Sequence, residues 1–418
     1  MRRVVITGLG ALTPFGEGVD LAWNSLIENK SAIKKIEKFD ASDCTSQIAG
    51  QIIFGTEKGQ FNPDKIMEPK EQRRVDDFIL FALAAADEAV KDANWHPEEE
   101  REKNRTGVII GSGIGGLKTI YATSLTLNES SVRRINPFFI PSSIINMASG
   151  HVSMRYGFKG PNMATVTACA TGAHAIISAY QNIVLNDADV VVAGGSESAV
   201  YPLSVGGFMQ SRALSHSYND TPEKASRPWD KGHDGFVISE GAGVMVLEEY
   251  EHAVARGAKI YAEVCGYGCS GDAYHITSPA PDGNGAKRAM QEALRKADLQ
   301  PHEVDYINAH GTSTVIGDAM EAKAVNELFS GCDNLKMSST KSAIGHMLGA
   351  AGAVEAIFCA KVIEQGIIPP TLNLDDPIEE AQGIDLVANQ AKKCAVKVAM
   401  SNSFGFGGTN ASIIFKKI

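Results

Sequence analysis

Short apolar runs at 3–6, 108–110, 190–193, 243–248, 306–309, 396–400 and 412–415 alternate with helical patterns at 76–91, 173–185, 285–297 and 318–328. Brief apolar strands interleaved with helices place a sheet under cover on both faces, so the chain is expected to be an α/β protein with buried sheets. Two glycine-rich turns, Gly241-Ala242-Gly243 and Gly407-Gly408-Thr409, each feed such a strand and hint at an internal duplication. With 418 residues, 44% hydrophobic and 21% charged, the chain can bury a large core, and no extended biased linker divides it.

Several function classes are disfavoured. Arg2 and Arg3 precede an apolar stretch, but glycines at 8, 10 and 16 with Pro14 read as a buried strand followed by turns, not as an export signal. The longest apolar candidate, 347–360, contains Glu355 and several glycines, which favours a packed interior helix over a membrane span. Seven cysteines at irregular spacing argue against a disulfide framework and for the reducing cytosol, so a cytoplasmic location is expected. The net charge of −10 disfavours nucleic acid as a partner. Against that acidic background, Lys70, Arg73 and Arg74 form one positive cluster and Arg133 with Arg134 another.

Cys169 sits among small residues in Thr167-Ala168-Cys169-Ala170-Thr171-Gly172, where an apolar stretch gives way to a helical run. A cysteine at a helix start meets unpaired N–H groups and the positive end of the dipole, which favour thiolate, and small neighbours leave room for an acyl group. A free thiol is by itself more often a core residue. Its candidate companions are His310 in Ala309-His310-Gly311-Thr312 and His346 in Gly345-His346-Met347, both flanked by glycine. Glycine beside an imidazole allows a sharp turn and close approach of a ligand. His174 is expected to face elsewhere on its helix and be structural; His96, His216, His252 and His302 are expected to be solvated, and His151, His233 and His275 to be interior or loop histidines.

Around these residues stand Val4-Val5-Ile6-Thr7-Gly8-Leu9-Gly10, Gly111-Ser112-Gly113-Ile114-Gly115-Gly116, Arg227-Pro228-Trp229-Asp230, Asp234-Gly235-Phe236, Ser338-Ser339-Thr340-Lys341-Ser342 and Ser401-Asn402-Ser403-Phe404-Gly405-Phe406-Gly407-Gly408. With this ordered set the chain resembles the elongating, Cys-His-His type of β-ketoacyl-acyl-carrier-protein synthase, most closely the synthase II branch of bacterial fatty acid synthesis. The resemblance implies a thiolase fold with duplicated halves in a five-layered α/β/α/β/α sandwich. Residues 1–256 would carry the nucleophile and 257–418 the two histidines, in what is usually a homodimer. One departure is Val315-Ile316 after Thr314, where the family more often has a Pro-Ala-like pair; it is expected to alter loop shape or ligand contacts more than chemistry.

The implied reaction is a decarboxylative Claisen condensation. An acyl group would pass from its carrier to Cys169, malonyl-carrier protein would lose carbon dioxide, and the resulting enolate would attack the thioester to give 3-oxoacyl-carrier protein. In this scheme His310 and His346 donate to the enolate oxygen, and the N–H groups of Cys169 and Phe406 hold the tetrahedral oxyanion. Lys341 supports the histidines with Glu355 as its ordering partner, and Thr312 and Thr314 belong to the same network. The bland alternative for Lys341 and Glu355 is a buried ion pair. Ile114 and Phe208 would shape an acyl pocket, while Phe404 and Phe406, on either side of Gly405, would gate the malonyl side. No cofactor is required, the substrates being carried on phosphopantetheine; relatives can hold a monovalent cation at the positions of Asn308, Ala309, Glu355, Ser401 and Asn402. The carrier protein is acidic, so Lys70, Arg73, Arg74, Arg133, Arg134 and Arg212 are expected to form a salt-sensitive docking surface.

Three rivals share parts of this pattern. A noncatalytic chain-length factor would lack the nucleophile, whereas Cys169 is present. A thiolase would carry a second cysteine in the carboxy-terminal glycine loop, where Phe406 stands instead. A polyketide ketosynthase shares the core chemistry and stays open at this level.

Overall fold

A computed structural model describes residues 2–57 and 59–418. The strands that position the site are β1 (Val4–Thr13), β2 (Thr106–Gly111), β3 (Asn162–Met163), β4 (Val190–Glu197), β5 (Gly241–Glu249), β6 (Ala262–Gly271), β7 (Tyr306–Asn308), β8 (Lys336–Ser338), β9 (Val398–Gly405) and β10 (Thr409–Lys416). The main helices are α1 (Asp77–Asp92), α2 (Thr171–Val184), α3 (Asn284–Ala297), α4 (Val315–Leu328) and α5 (Ala351–Gln365).

One ladder runs in the order β8-β7-β9-β10-β6-β1-β5-β4-β2-β3. On the amino-terminal side β1–β5 and β5–β4 are antiparallel and β4–β2 and β2–β3 parallel. On the carboxy-terminal side β6–β10 and β10–β9 are antiparallel and β9–β7 and β7–β8 parallel. The strand order and senses therefore repeat, as the glycine-rich turns hinted. The halves meet where Val4, Val5 and Ile6 pair with Val264, Glu263 and Ala262, so the two sheets are continuous along one edge. Helix α1 covers the first sheet, α2 and α5 lie between the sheets and against each other, and α3 covers the second with α4 packed against α3. The result is five layers, α/β/α/β/α.

Glycine explains how closely the layers approach, and why the sequence misled at two places. A Cβ at Gly10 would stand 1.9 Å from the Ala85 carbonyl oxygen of α1, and one at Gly268 1.9 Å from the Ala289 oxygen of α3. Gly8 and Gly266 make the corresponding contacts one helical turn on, with Ala89 and Ala293. Gly8 and Gly10 thus lie within a strand that continues to Thr13, and do not turn the chain as their composition implied. The same Gly-Xaa-Gly device hid β6, which the apolar runs of the sequence do not include.

Helix α5 is buried from Ala351 through Ile363, Glu355 and Lys361 included. It begins later than the apolar run at 347 because Leu348–Ala350 forms a separate tight turn with Leu348 at φ 48°. Among the described residues no helix is long and apolar enough to cross a membrane. His252, expected to be solvated, is half-buried instead: Glu248 lies 2.6 Å from its Nδ1 and Trp95 packs edge-on against its ring.

Candidate active site

Cys169 lies in the tight turn Ala168–Ala170 just ahead of α2, and Ala168 takes φ 49° to aim that turn. The residue opens on a cavity of about 400 Å³ that His310, His346, Thr312, Thr314, Phe208, Phe404, Phe406 and Arg212 also line. Apart from that opening the sulfur is enclosed by protein. Burial pushes the thiol up to about 12, and Glu197 acts in the same direction. Lys341 and the backbone N–H groups of Phe406 and of Cys169 itself oppose the rise without overcoming it. The expectation of a resting thiolate is therefore corrected: desolvation outweighs the helix terminus, and the site holds a neutral thiol with two N–H donors directed at the sulfur.

His310 follows β7, and its imidazole stands 5.3 Å from that of His346, centroid to centroid and nearly perpendicular. Phe404 flanks His310 at 5.7 Å, and Phe236 flanks His346 at 5.3 Å. Burial holds both imidazoles well below their ordinary value, Lys341 lowers both further, and His346 lowers His310 again, so both are neutral at neutral pH. Both Nδ1 atoms are buried without a hydrogen-bond partner. Their main chains are nevertheless tightly held. Glu321 accepts from His310 N at 2.9 Å and Gly311 N at 2.7 Å, while His346 N donates to Val237 O at 2.8 Å and its carbonyl accepts from Ser239 N. The neighbouring glycines serve this packing: Gly345 has φ 73°, and a Cβ at Gly311 would meet Ser339 and Trp229 at 2.7 and 2.8 Å.

Lys341 donates to Glu355 in a pair that is almost wholly buried. Burial raises the Glu355 carboxyl while Lys341 opposes that rise. Thr312 and Thr314 hydrogen-bond to each other at 2.9 Å beside the histidines. Exposed Val315 and Ile316, the departure from the family pattern, line the mouth next to them.

On the other side of the sulfur, Ile114, Phe208 and Cys169 pack against one apolar cluster containing Val200, Val205, Phe236 and Leu348. Ile114 does not itself line the cavity. Its loop is held by Glu197, a residue that sequence reasoning missed, which accepts from Ser112 Oγ and from the N–H groups of Gly113, Ile114 and Gly349. Glu321 was missed likewise. Glu197 stands alone among small and apolar residues, which was the one signal available, whereas Glu321 has Asp318 and Lys323 close by in the sequence and nothing local marks it.

Buried Asn308 Oδ1 and Nδ2, Ser401 Oγ and Glu355 Oε2 lack partners, and Asn308 lies opposite Ser401 in the β7–β9 register. This oxygen-rich group fits a hard monovalent cation. Ala309 is buried beside it, whereas the Asn402 side chain is engaged by Ser412 and Glu321.

The two basic clusters adjoin. The Arg74 guanidinium lies 4.5 Å over the Phe138 ring, and Asn136 donates to the Arg73 carbonyl. Arg74 is partly neutralised by Glu71 at 2.8 Å. Among the described residues Lys70, Arg73, Arg133, Arg134 and Arg212 have no ion-pair partner, and Arg212 stands at the cavity itself.

A duplicated five-layer sandwich with a cysteine at the head of a central helix and two histidines facing it defines a thiolase-fold condensing enzyme. Residues 1–253 match the β-ketoacyl synthase N-terminal domain and residues 261–375 its C-terminal domain. The chain belongs to the β-ketoacyl synthase family. It is 56% identical to the 3-oxoacyl-[acyl-carrier-protein] synthase 2 of Rhizobium meliloti, over all of this chain and 99% of that one. It is 52% identical to the mitochondrial 3-oxoacyl-[acyl-carrier-protein] synthase of Arabidopsis thaliana, over all of this chain and 94% of that one. A β-ketoacyl synthase from Burkholderia phymatum superposes with a TM-score of 0.91 at 34% identity, covering both chains fully. A type II polyketide ketosynthase, solved with its acyl-carrier protein and bound to a hexaketide, also gives a TM-score of 0.91, at 32% identity over all of this chain and 99% of that one.

Proposed function

We propose that this chain condenses acyl-carrier protein with malonyl-carrier protein in fatty acid elongation, releasing carbon dioxide and forming 3-oxoacyl-carrier protein through an acyl-Cys169 intermediate. The observation that carries the reading is a pair of neutral imidazoles 5.3 Å apart, sharing a cavity with a thiol on which two backbone N–H groups converge. Two neutral imidazoles held side by side next to a thiol suit a ligand that presents one thioester oxygen to both of them.

Cys169 attacks the acyl thioester as its proton passes to the departing phosphopantetheine sulfur, and its own N–H with that of Phe406 receives the developing oxyanion. The thiol of the carrier's phosphopantetheine departs. Malonyl thioester then enters, and His310 and His346 hold the thioester oxygen that becomes the enolate oxygen as the carboxylate leaves as carbon dioxide. The enolate carbon forms the new bond at the Cys169 thioester and the sulfur is expelled. Lys341 keeps both histidines neutral and able to donate a hydrogen bond, and Glu355 fixes Lys341. Thr312 and Thr314 extend this network toward the mouth. Phe406 gates the malonyl side with Phe404 behind it, and Ile114 and Phe208 close the acyl pocket.

The halves are assigned as 1–256 and 257–418, one bringing the nucleophile and the other the histidines. A monovalent cation at Asn308, Ala309, Glu355, Ser401 and Asn402 would supply fixed positive charge beneath the histidine network. Lys70, Arg73, Arg74, Arg133, Arg134 and Arg212 receive the acidic carrier protein. A homodimer is supported by the helix Leu117–Glu129, which buries none of its residues within one chain, and by exposed Met163 on the edge strand β3. The free cysteines accord with the cytoplasm.

Mass spectrometry of products formed from malonyl-carrier protein and saturated acyl-carrier proteins of several lengths tests the reading. A 3-oxoacyl product two carbons longer supports it; folded protein that elongates no carrier-bound acyl group overturns it.

A further inference from the structure

Two acids on one face of α4 hold the loop that carries His310, Thr312 and Thr314. Glu321 receives the N–H groups of His310 and Gly311, as described above. Asp318, one turn earlier and fully buried, receives Ser313 N at 3.1 Å on Oδ1 and Trp229 N at 2.9 Å on Oδ2. Two carboxylates so close together and out of water need compensation. On Asp318 it comes from His233, whose Nδ1 lies 3.0 Å from Asp318 Oδ2 and whose side chain is 4% exposed. Among the described residues His233 is the one ion-pair partner of Asp318.

The surroundings tie this pair to the site and not to the core at large. His233 N donates to Asp230 O at 3.0 Å, and Asp230 is in turn held by Arg227 at 2.9 Å. Arg227 N donates to Ser313 Oγ at 3.0 Å, and Gly235 N donates to Ser313 O at 3.0 Å. Segment 227–235 thus wraps the residue between the two threonines, and the Trp229 ring lies against Gly311. Ser313 takes φ 70°, an unfavourable conformation for a non-glycine residue that must be held by its surroundings. Two main-chain N–H donors, those of Gly235 and Arg227, and one carboxylate do so, and the carboxylate depends on His233.

We infer that His233 is a positioning residue for the malonyl half of the reaction: by donating to Asp318 it fixes the His310–Thr314 loop in the geometry that binds the thioester oxygen. The inference rests on the functional reading above. It separates the half-reactions, because Cys169 and its N–H donors belong to other segments.

The test compares H233L, which removes the donor, with H233N, whose amide N–H can occupy the place of Nδ1. Acylation of Cys169 by acyl-carrier protein and decarboxylation of malonyl-carrier protein are measured separately, with thermal unfolding alongside. For H233L the expected result is a decarboxylation rate lower by roughly tenfold or more with acylation within about twofold of wild type. H233N should restore decarboxylation to within about threefold. Equal loss of both half-reactions in H233L, unchanged decarboxylation in H233L, or failure of H233N to restore it would each overturn the inference. Should H233L not fold, H233N alone decides, since its retention or loss of decarboxylation is still read. Wild-type protein that decarboxylates no malonyl thioester would instead overturn the functional reading.

Discussion

Replacing Gly405 by alanine probes the oxyanion geometry with one methyl group. A Cβ at 405 would stand 2.7 Å from Thr409 Oγ1, 2.8 Å from Thr167 O and 3.2 Å from Cys169 N. The threonine hydroxyl can rotate, but the Thr167 carbonyl and the Cys169 amide are main chain at the head of α2. The 404–406 segment must therefore back away by a few tenths of an ångström, carrying the Phe406 N–H off the sulfur. Loss of one oxyanion donor costs roughly 10²–10³ in kcat, about 2.7–4 kcal/mol, and a partial displacement belongs at the lower end, near 100-fold. The Michaelis constant for the carrier should change little, because docking is remote from the methyl. Gly407 supplies the control: no atom lies within 4 Å of its Cβ position, and only its φ of 85° resists substitution. G407A should therefore cost about 1 kcal/mol of backbone strain and leave kcat within a few fold. Initial rates of 3-oxoacyl-carrier protein formation, with thermal unfolding to confirm the fold, read both variants. A G405A enzyme with kcat within about threefold of wild type would refute the assignment of Phe406 N–H as an oxyanion donor.

Lys341→Met removes the charge that, after burial, most lowers His310 and His346. Both histidines then rise, the neutral donors are lost at a higher pH as the solution is acidified, and the acid limb of the decarboxylation profile moves upward; an unmoved limb would contradict the role of Lys341. R73E combined with R74E should raise the Michaelis constant for carrier-borne substrates roughly tenfold at low salt, with the difference shrinking as salt is added. The same variant should act normally on small thioesters, and equal loss with both substrate types would remove these arginines from the docking surface. Thiol alkylation of the resting enzyme should accelerate steadily as pH rises past 8, since burial keeps Cys169 protonated; a plateau below pH 7 would show a resting thiolate.

Much of the fold was legible because apolar runs at 190–193, 243–248 and 412–415 fall inside β4, β5 and β10. β6 was not, since Gly266 and Gly268 are chosen for the approach of α3 and carry no strand propensity. Cys169, His310 and His346 stood out through their small neighbours. The state of the thiol did not, because the helix terminus can be read locally whereas the protein that encloses the sulfur comes from both halves. Glu197 and Glu321 escaped for a related reason: each is recognisable only through main-chain N–H groups that it reaches, some of them, as with Gly349, 152 residues away. Of the basic residues, Arg74 read as a free charge but is shared with Glu71 and Phe138.

The most direct measurement is the intact mass of wild type, C169A and H310A after incubation with acyl-carrier protein in the absence of malonyl substrate. A division of labour between thiol and imidazoles predicts an acyl adduct on wild type and on H310A and none on C169A. An adduct that persists in C169A, or one that vanishes in H310A, would contradict it.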